Sequence, residues 1–509
     1  MSPTAELRPG PPESPADDCP SMEGTDEYRS DESRMQGPVP EVIYLPRSTA
    51  EAALAVRRAR EAGLSIAVGG GRTGIAGGAV PSESCAIVSV ERLTFEPELR
   101  RVGEEWRVRV GAGTTLDELQ DYLDGNSPET PLLYPVDSTE RSATIGGTIA
   151  TNASGARTLF YGPTRDWVRR LRVVTAGGRV LDLERGNARA EDGMFYICED
   201  GERRRVPVEP VPRPGTKHTA GYYLQEGMDA VDLFVGSEGT LGIVTEAELA
   251  LAEKPPQRLF VTFFIRGDED MVRLVRGFRR EDAPDPLALE YLDPRAVELV
   301  REDGAHASIL PDGMRAGLYA EFAFEGEAEL ESIYDGCSGL LRSAGLDPAR
   351  SWAGFGRRDM EQMKDLRHAV PEAVNARIGQ IRREHPDVHK VGTDMAVPPA
   401  RLEEMMELYR RRVEEEDLRY VIFGHAGDGH VHVNILPGCG ADVEKAEELY
   451  EEFAGTAVRL GGSVAAEHGI GRIKKPFLRL QYSPEELDAM RRVKEALDPA
   501  GALNPGVLL

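Results

Sequence analysis

The chain has 509 residues, 40% of them hydrophobic and 29% charged, with a net charge of −26 and a pI near 4.9. That length supplies two or three cores, the anionic surface disfavours nucleic acid and acidic lipid as partners, and no apolar run reaches the ~18 residues of a membrane span. Five scattered cysteines (Cys19, Cys85, Cys198, Cys337, Cys439) form no C-x-x-C pair, which argues against a disulfide scaffold, a zinc ribbon or an iron–sulfur cluster and for reduced thiols in the cytoplasm.

Residues 1–38 are rich in Pro, Ser, Asp and Glu and lack the basic start and apolar core of a signal peptide, so a disordered tail is expected there. Order is expected from Val42, with a helix over Thr49–Ala62 ended by Gly63 and a strand over Leu64–Val68. A G-x-G-x-x-G follows at Gly69, Gly71 and Gly74, but Gly77, Gly78 and Pro81 forbid the helix that a nicotinamide fingerprint must open. A glycine loop between two apolar strands, carrying Arg72 and Thr73, reads instead as an anion nest able to wrap a pyrophosphate.

Ile87–Val90 and Trp106–Val110 continue as strands, and Thr115-x-x-Glu118 is a capping box for a short helix. Residues 134–155 are packed with small residues, hydroxyls and glycines, a composition that lets backbone approach a flat or extended ligand. Residues 236–245 form a third glycine-bearing stretch, and the charged, Pro-rich 185–216 reads as an insertion loop. After Pro255-Pro256, five strands (259–265, 287–292, 318–324, 419–423, 430–435) alternate with helices that include 402–416 and 441–459. That pattern predicts an α+β domain with helices on one side of an antiparallel sheet. Ser483-Pro484-x-Glu486 caps a last helix over 484–497.

Three of the nine histidines, His425, His430 and His432, fall in Phe-Gly-His-Ala-Gly-Asp-Gly-His-Val-His-Val-Asn, residues 423–434. In a strand, His430, His432 and Asn434 share one face and Val431 and Val433 the other. Imidazoles converging beside a glycine turn can ligate a metal or move protons. A second polar island, Ala466-Glu-His-Gly-Ile-Gly471, offers His468 as a base.

Together the three glycine-rich stretches resemble the vanillyl-alcohol-oxidase-type FAD-binding domain (PCMH type), and residues 256–509 resemble the C-terminal domain of the FAD-linked D-2-hydroxyacid dehydrogenases, the D-lactate, glycolate and D-2-hydroxyglutarate enzymes. The resemblance implies a two-subdomain FAD-binding domain over 39–255, an α+β substrate (cap) domain over 256–480, and a C-terminal helix and tail over 481–509 returning to the FAD domain. It implies that Gly70, Gly71, Arg72, Thr73, Gly74, Gly77 and Gly78 form the pyrophosphate loop. Pro135, Asp137, Ser138, Thr144, Ile145, Gly147, Asn152, Ser154 and Gly155 would run along the flavin and its phosphates. Glu238 and Ile243 would lie near the ribose and adenine, and Asn504 would close the site from the tail. Arg72 stands where some members attach FAD through a histidine, so non-covalent FAD is expected.

In the family the Glu-His pair faces the histidine stretch, which makes His425, His432 and Glu467 a two-His, one-carboxylate site for a divalent metal. Zinc is favoured by ligand type, with manganese and iron as alternatives. A 2-hydroxy acid would chelate that metal, His468 would take the hydroxyl proton as hydride leaves for flavin N5, Arg367 would clamp the carboxylate, and Asn434 would reach the substrate or the metal shell. His430 stands where the family pattern has Asn, as a further ligand or an outer donor, and Lys390 is displaced by two residues from a family lysine. Electrons would leave to a quinone, a cytochrome, an electron-transfer flavoprotein or an iron–sulfur subunit. The setting is cytoplasmic, with peripheral membrane attachment and a homodimer left open. Rival readings are an alkylglycerone-phosphate-synthase-like FAD transferase, disfavoured by the Gly-Asp-Gly motif, a metal hydrolase and a non-enzymatic flavin-binding module.

Overall fold

In the computed structural model, which describes residues 4–10, 14, 16–199, 202–304 and 306–509, the strands Val42–Tyr44, Cys85–Ser89 and Ser65–Gly69 run parallel, with Ser21–Glu23 antiparallel at one edge. Cys85–Ser89 is buried at every position, as a central parallel strand covered on both faces must be. The helix Thr49–Glu61 lays Ala52, Ala55, Val56 and Ala59 into the core, and its N-cap Ser48 accepts from Glu51 N. Beside this sheet stands an antiparallel one in the order Val180–Glu184, Val168–Val174, Ile243–Ala250, Glu105–Gly111, Glu98–Val102. The predicted capping box at Thr115 and Glu118 opens the helix Leu116–Asn126.

The remaining strands form a seven-stranded antiparallel sheet in the order Ser351–Gly354, Gln257–Ile265, Ala316–Phe324, Ala288–Leu292, Tyr420–Gly424, His432–Ile435, Val391–Gly392. Helices cover both of its faces, where one was expected. Val261, Phe263 and Tyr420 face a core shared with Asp268–Phe278, Glu327–Ser343 and Leu402–Glu415, whereas Phe264 and Val421 face Pro294–Asp303 and Arg357–Ile381. The strands accordingly are largely apolar on both faces; Ala288–Leu292 is buried throughout, Glu290 included.

Two further expectations fail. Residues 1–38 are not a disordered tail where described: Glu6–Leu7 and Ser21–Glu23 pair with strands of the body, and Leu7, Cys19, Tyr28 and Asp31 are buried. A polar average hid four well-spaced anchors. Residues 185–216 likewise contain a hairpin, Met194–Glu199 with Glu202–Pro207, whose inward Phe195, Ile197 and Val206 were masked by Arg203–Arg205. The chain end returns to the first sheet, where Ile66 N donates to Ala502 O and Asn504 N to Ile66 O, each at 2.7 Å. Among the described residues no helix is long and apolar enough to cross a membrane.

Candidate active site

The loop after Ser65–Gly69 opens no helix; it winds through bends to Pro81 and forms one wall of a cleft. Gly70, Gly71, Arg72, Thr73, Gly74 and Gly78 line that wall, and Ser138, Thr144, Gly147, Ser154, Gly155, Glu238 and Asn504 line the rest. Glu467 and His468 line the same cleft. Close backbone approach explains the small residues: a Cβ at Gly155 would stand 1.8 Å from Asp137 O, and one at Gly70 would stand 2.5 Å from Thr144 Oγ1.

Gly77, Pro135, Asp137, Ile145, Asn152 and Ile243 lie outside the cleft wall. Ile145 and Ile243 are core residues and Pro135 is buried. Asn152 accepts from Arg165 N at 2.9 Å. Asp137 faces Arg157 at 3.8 Å, and Gly77 has φ +75° beside Met35 and Arg472. Arg72, Asn152, Glu238 and Asn504 all have positive φ without being glycine, a strain that needs over-determined surroundings. For Glu238 and Asn504 those surroundings are visible. The Glu238 carboxylate accepts from Ile470 N at 2.8 Å and Gly471 N at 2.7 Å, while Asn504 Nδ2 donates to Glu238 O and its Oδ1 accepts from Val68 N, both at 2.7 Å. These two residues therefore tie the glycine loop, the 236–245 stretch and the His468 loop together. Arg72 turns its guanidinium over the Tyr28 ring, 4.1 Å from the centroid, and lies 3.5 Å from Glu27, both in the N-terminal segment.

Behind the cleft the histidine loop closes on Glu467. The strand begins at His432, two residues later than expected, and His430 precedes it in a bridge to Ala396. One ligand-capable atom from each of His425, His430, His432 and Glu467 lies within 4.8 Å of every other. Glu467 Oε2 is 3.1 Å from His425 Nε2, 3.9 Å from His432 Nε2 and 4.0 Å from His468 Nε2. His425 Nδ1–H donates to Glu290 Oε1 at 2.6 Å and His432 Nδ1–H to Thr393 O at 2.8 Å, which turns both Nε2 atoms toward Glu467. A carboxylate or carbonyl on the outer nitrogen is how metal-ligating imidazoles are held. The donor set, its outer partners and the unpartnered ring nitrogens of His430 fit a divalent ion.

Arg367, on Arg357–Ile381, stands 3.8 Å from Glu290 Oε2, one carboxylate removed from His425 and outside the cleft wall. Asn434 is buried on the His432 face of its strand, over Gly392. Lys390 donates to Asn375 at 3.1 Å on the exterior and does not join the cluster.

Four charged neighbours of the cluster, Lys217, Asp394, Lys474 and Glu290, were not foreseen. Lys217 is buried with its Nζ 2.5 Å from Glu467 Oε1, 3.1 Å from Gly155 O and 3.3 Å from Asp428 Oδ2. Asp394 accepts from the backbone N of Glu467 at 3.2 Å and of His468 at 3.1 Å, pairs with Lys474, and lies 3.4 Å from His468 Nδ1. Glu290 is the fourth. None sits in a motif; a buried charge in an apolar setting was the available signal, in Leu-Glu290-Tyr and Thr-Asp394-Met.

Burial pushes Glu467 up, but His425 and Lys217 outweigh it and hold its carboxyl well below the usual range. Burial pulls His425 down, yet Glu290 and Glu467 prevail and raise it to about 9. For His432 burial wins, reinforced by the neighbouring imidazoles, and His468 is likewise lowered by burial against the pull of Asp394. At pH 7 the cluster thus combines a fixed anion at Glu467, a protonated His425, a neutral His432 and a neutral base at His468 beside one cleft.

Residues 40–184 match the FAD binding domain family and residues 254–508 match the C-terminal domain of FAD linked oxidases. The D-2-hydroxyglutarate dehydrogenase of Xanthomonas citri pv. viticola is 32% identical over 94% of this chain and 92% of its own length. A D-lactate dehydrogenase of Archaeoglobus fulgidus is 29% identical, over 91% and 90% of the two chains. The glycolate oxidase subunit GlcD of Bacillus subtilis is 29% identical, over 96% and 91%. Among solved structures, an alkyldihydroxyacetonephosphate synthase superposes with a TM-score of 0.59 at 17% identity, covering 92% of this chain and 77% of that one, a likeness of fold. With both domain families matched in order and full-length relatives on either side, the chain belongs to the FAD-linked D-2-hydroxyacid dehydrogenase family and is an FAD-dependent oxidoreductase.

Proposed function

We propose that the chain oxidises a small D-2-hydroxy acid to the 2-oxo acid, in the cytoplasm, and passes the electrons to an external acceptor. The observation that carries this reading is that one cleft is lined both by the glycine loops and by Glu467 and His468. When bound there, FAD supplies a hydride acceptor at N5, and a divalent ion, zinc by ligand type, supplies a Lewis acid that lowers the pKa of the substrate hydroxyl. His425, His432 and Glu467 would hold that ion. His468, neutral because burial lowers its pKa, takes the hydroxyl proton. Asp394, 3.4 Å from His468 Nδ1, orients the ring and stabilises the imidazolium that forms. Arg367 would share its charge between Glu290 and the substrate carboxylate, and Asn434 would donate to a substrate oxygen.

Anaerobic addition of D-lactate, glycolate or D-2-hydroxyglutarate is expected to bleach the flavin absorbance of the purified protein. Bleaching by none of a panel of 2-hydroxy acids would reject the oxidation in favour of a transferase or a binding module. The flavin is expected to be held without a covalent bond. At Arg72 a protonated guanidinium has no free lone pair, and among the described residues the cleft wall has no cysteine or tyrosine and one histidine, His468. Acid precipitation should leave the yellow colour in the supernatant; a yellow pellet would refute this.

A further inference from the structure

The cluster has a member beyond the two imidazoles and carboxylate assigned above. His430 is completely buried. Its ring centroid lies 4.4 Å from that of His432 and 5.3 Å from that of His425. Neither of its ring nitrogens has a hydrogen-bond partner. The nearest acceptor, Asp394 Oδ1, is 3.3 Å from Nε2 without hydrogen-bond alignment. A neutral imidazole carries one donor and one acceptor, and burying both unpaired is unfavourable unless something in the site takes the lone pair.

The backbone leaves this ring little freedom to look elsewhere. His430 N donates to His425 O at 3.1 Å, and Val397 N donates to Gly429 O at 3.0 Å. Gly429 has φ +66°, and a Cβ there would stand 2.1 Å from Val397 O, so the turn is fixed against a neighbouring segment. A fully buried imidazole whose ligand-capable atom lies within 4.8 Å of those of His425, His432 and Glu467 is placed as they are.

We propose that His430 is a third imidazole ligand, so that the ion is held by three histidines and one carboxylate, a deepening of the metal reading on which it rests. Three imidazoles and a carboxylate would be the protein's donors to the ion, and the hydroxyl and carboxylate oxygens of a 2-hydroxy acid would add to them. Nitrogen donors in that majority select zinc, iron or another imidazole-seeking ion over magnesium and calcium, which take oxygen.

The test uses the full chain with its flavin, stripped of metal and reloaded with one equivalent of Zn²⁺. Zinc-edge X-ray absorption counts the imidazoles, and a chromophoric chelator gives the affinity. Three imidazoles are expected in the unmodified protein and two in His430→Asn, with zinc affinity lower by at least roughly tenfold, the low end of what losing an outer-shell partner costs. Two imidazoles in the unmodified protein overturn the inference and leave the site of His425, His432 and Glu467 standing. No zinc bound, or binding unaltered in His425→Ala, overturns that site and the inference with it. The unmodified-protein spectrum decides even if His430→Asn does not fold.

Discussion

Exchanging His468 for glutamine lowers the rate at which a 2-hydroxy acid reduces the flavin by about 10²–10⁴-fold, the range for a positioned general base, and leaves the flavin bound. The size follows from how the ring is held. His468 lines the cleft with 29% of its side chain exposed, its backbone N donates to Asp394 Oδ2 at 3.1 Å, and its ring stacks on His432 with 16° between the planes. Glutamine keeps the polarity and the backbone bond and removes the proton-accepting nitrogen. The cofactor wall is built by other loops, so flavin content measures folding separately from chemistry. The pH dependence has a definite sign. Burial lowers the His468 pKa below its ordinary 6.5, with Asp394 opposing, so the base is already neutral at pH 7. Anaerobic stopped-flow should show a reduction rate that is flat around neutrality and falls with acid only below pH 6.5, a limb that the glutamine variant lacks. A variant as fast as the parent would remove His468 from the proton transfer.

Much of the cofactor half was legible because its signals are local. A glycine run that cannot open a helix has few uses other than wrapping an anion, and Gly70 to Gly74 line the cleft that this implied. The same locality misled at Ile145, Asn152 and Ile243, which share motifs with cleft residues but point into the core or cap a turn. Motif membership fixes a residue's neighbourhood, and the side-chain direction comes from the local φ and register. Glu238 illustrates the point: its carboxylate is spent on the amides of Ile470 and Gly471, and its part in the site is to hold the His468 loop against the cleft.

The charges around the cluster were illegible for a different reason. Lys217 meets Glu467 across 250 residues and His425 meets Glu290 across 135, and no pattern in one sequence encodes a pair at that separation. The N-terminal anchors were lost to averaging, since Leu7, Cys19 and Tyr28 are single apolar residues in a polar stretch. Burial of both faces of the seven-stranded sheet was readable in principle from Phe260–Ile265, a run apolar on both faces in which only Thr262 is polar.

Glu467→Gln is the other change with a large expected effect, through metal occupancy. Glu467 Oε1 accepts from Lys217 at 2.5 Å and from Ser154 at 3.3 Å, leaving Oε2 directed at the imidazoles. The amide keeps the shape and removes the charge that both the ion and Lys217 need. Breaking such a buried pair costs about 3–5 kcal/mol, so a drop in melting temperature should accompany loss of bound metal and of turnover, while flavin remains. Proton linkage separates the metal site from mere destabilisation. With burial outweighed by Glu290 and Glu467, His425 sits at about 9 and is protonated at pH 7 in the metal-free protein. The ion takes a neutral imidazole, so uptake at pH 7 releases that proton. Affinity should therefore rise about tenfold per pH unit, one proton per ion, and level off as pH passes about 9. Calorimetry in buffers of different ionisation enthalpy counts the proton directly. Undiminished turnover after verified metal removal would deny the ion a part in the reaction, and pH-independent uptake would place the ion away from His425. In the glutamine variant His425 keeps one carboxylate partner of two, its pKa falls, and any residual metal uptake at pH 7 should release less than one proton, an outcome that general loosening of the fold does not produce.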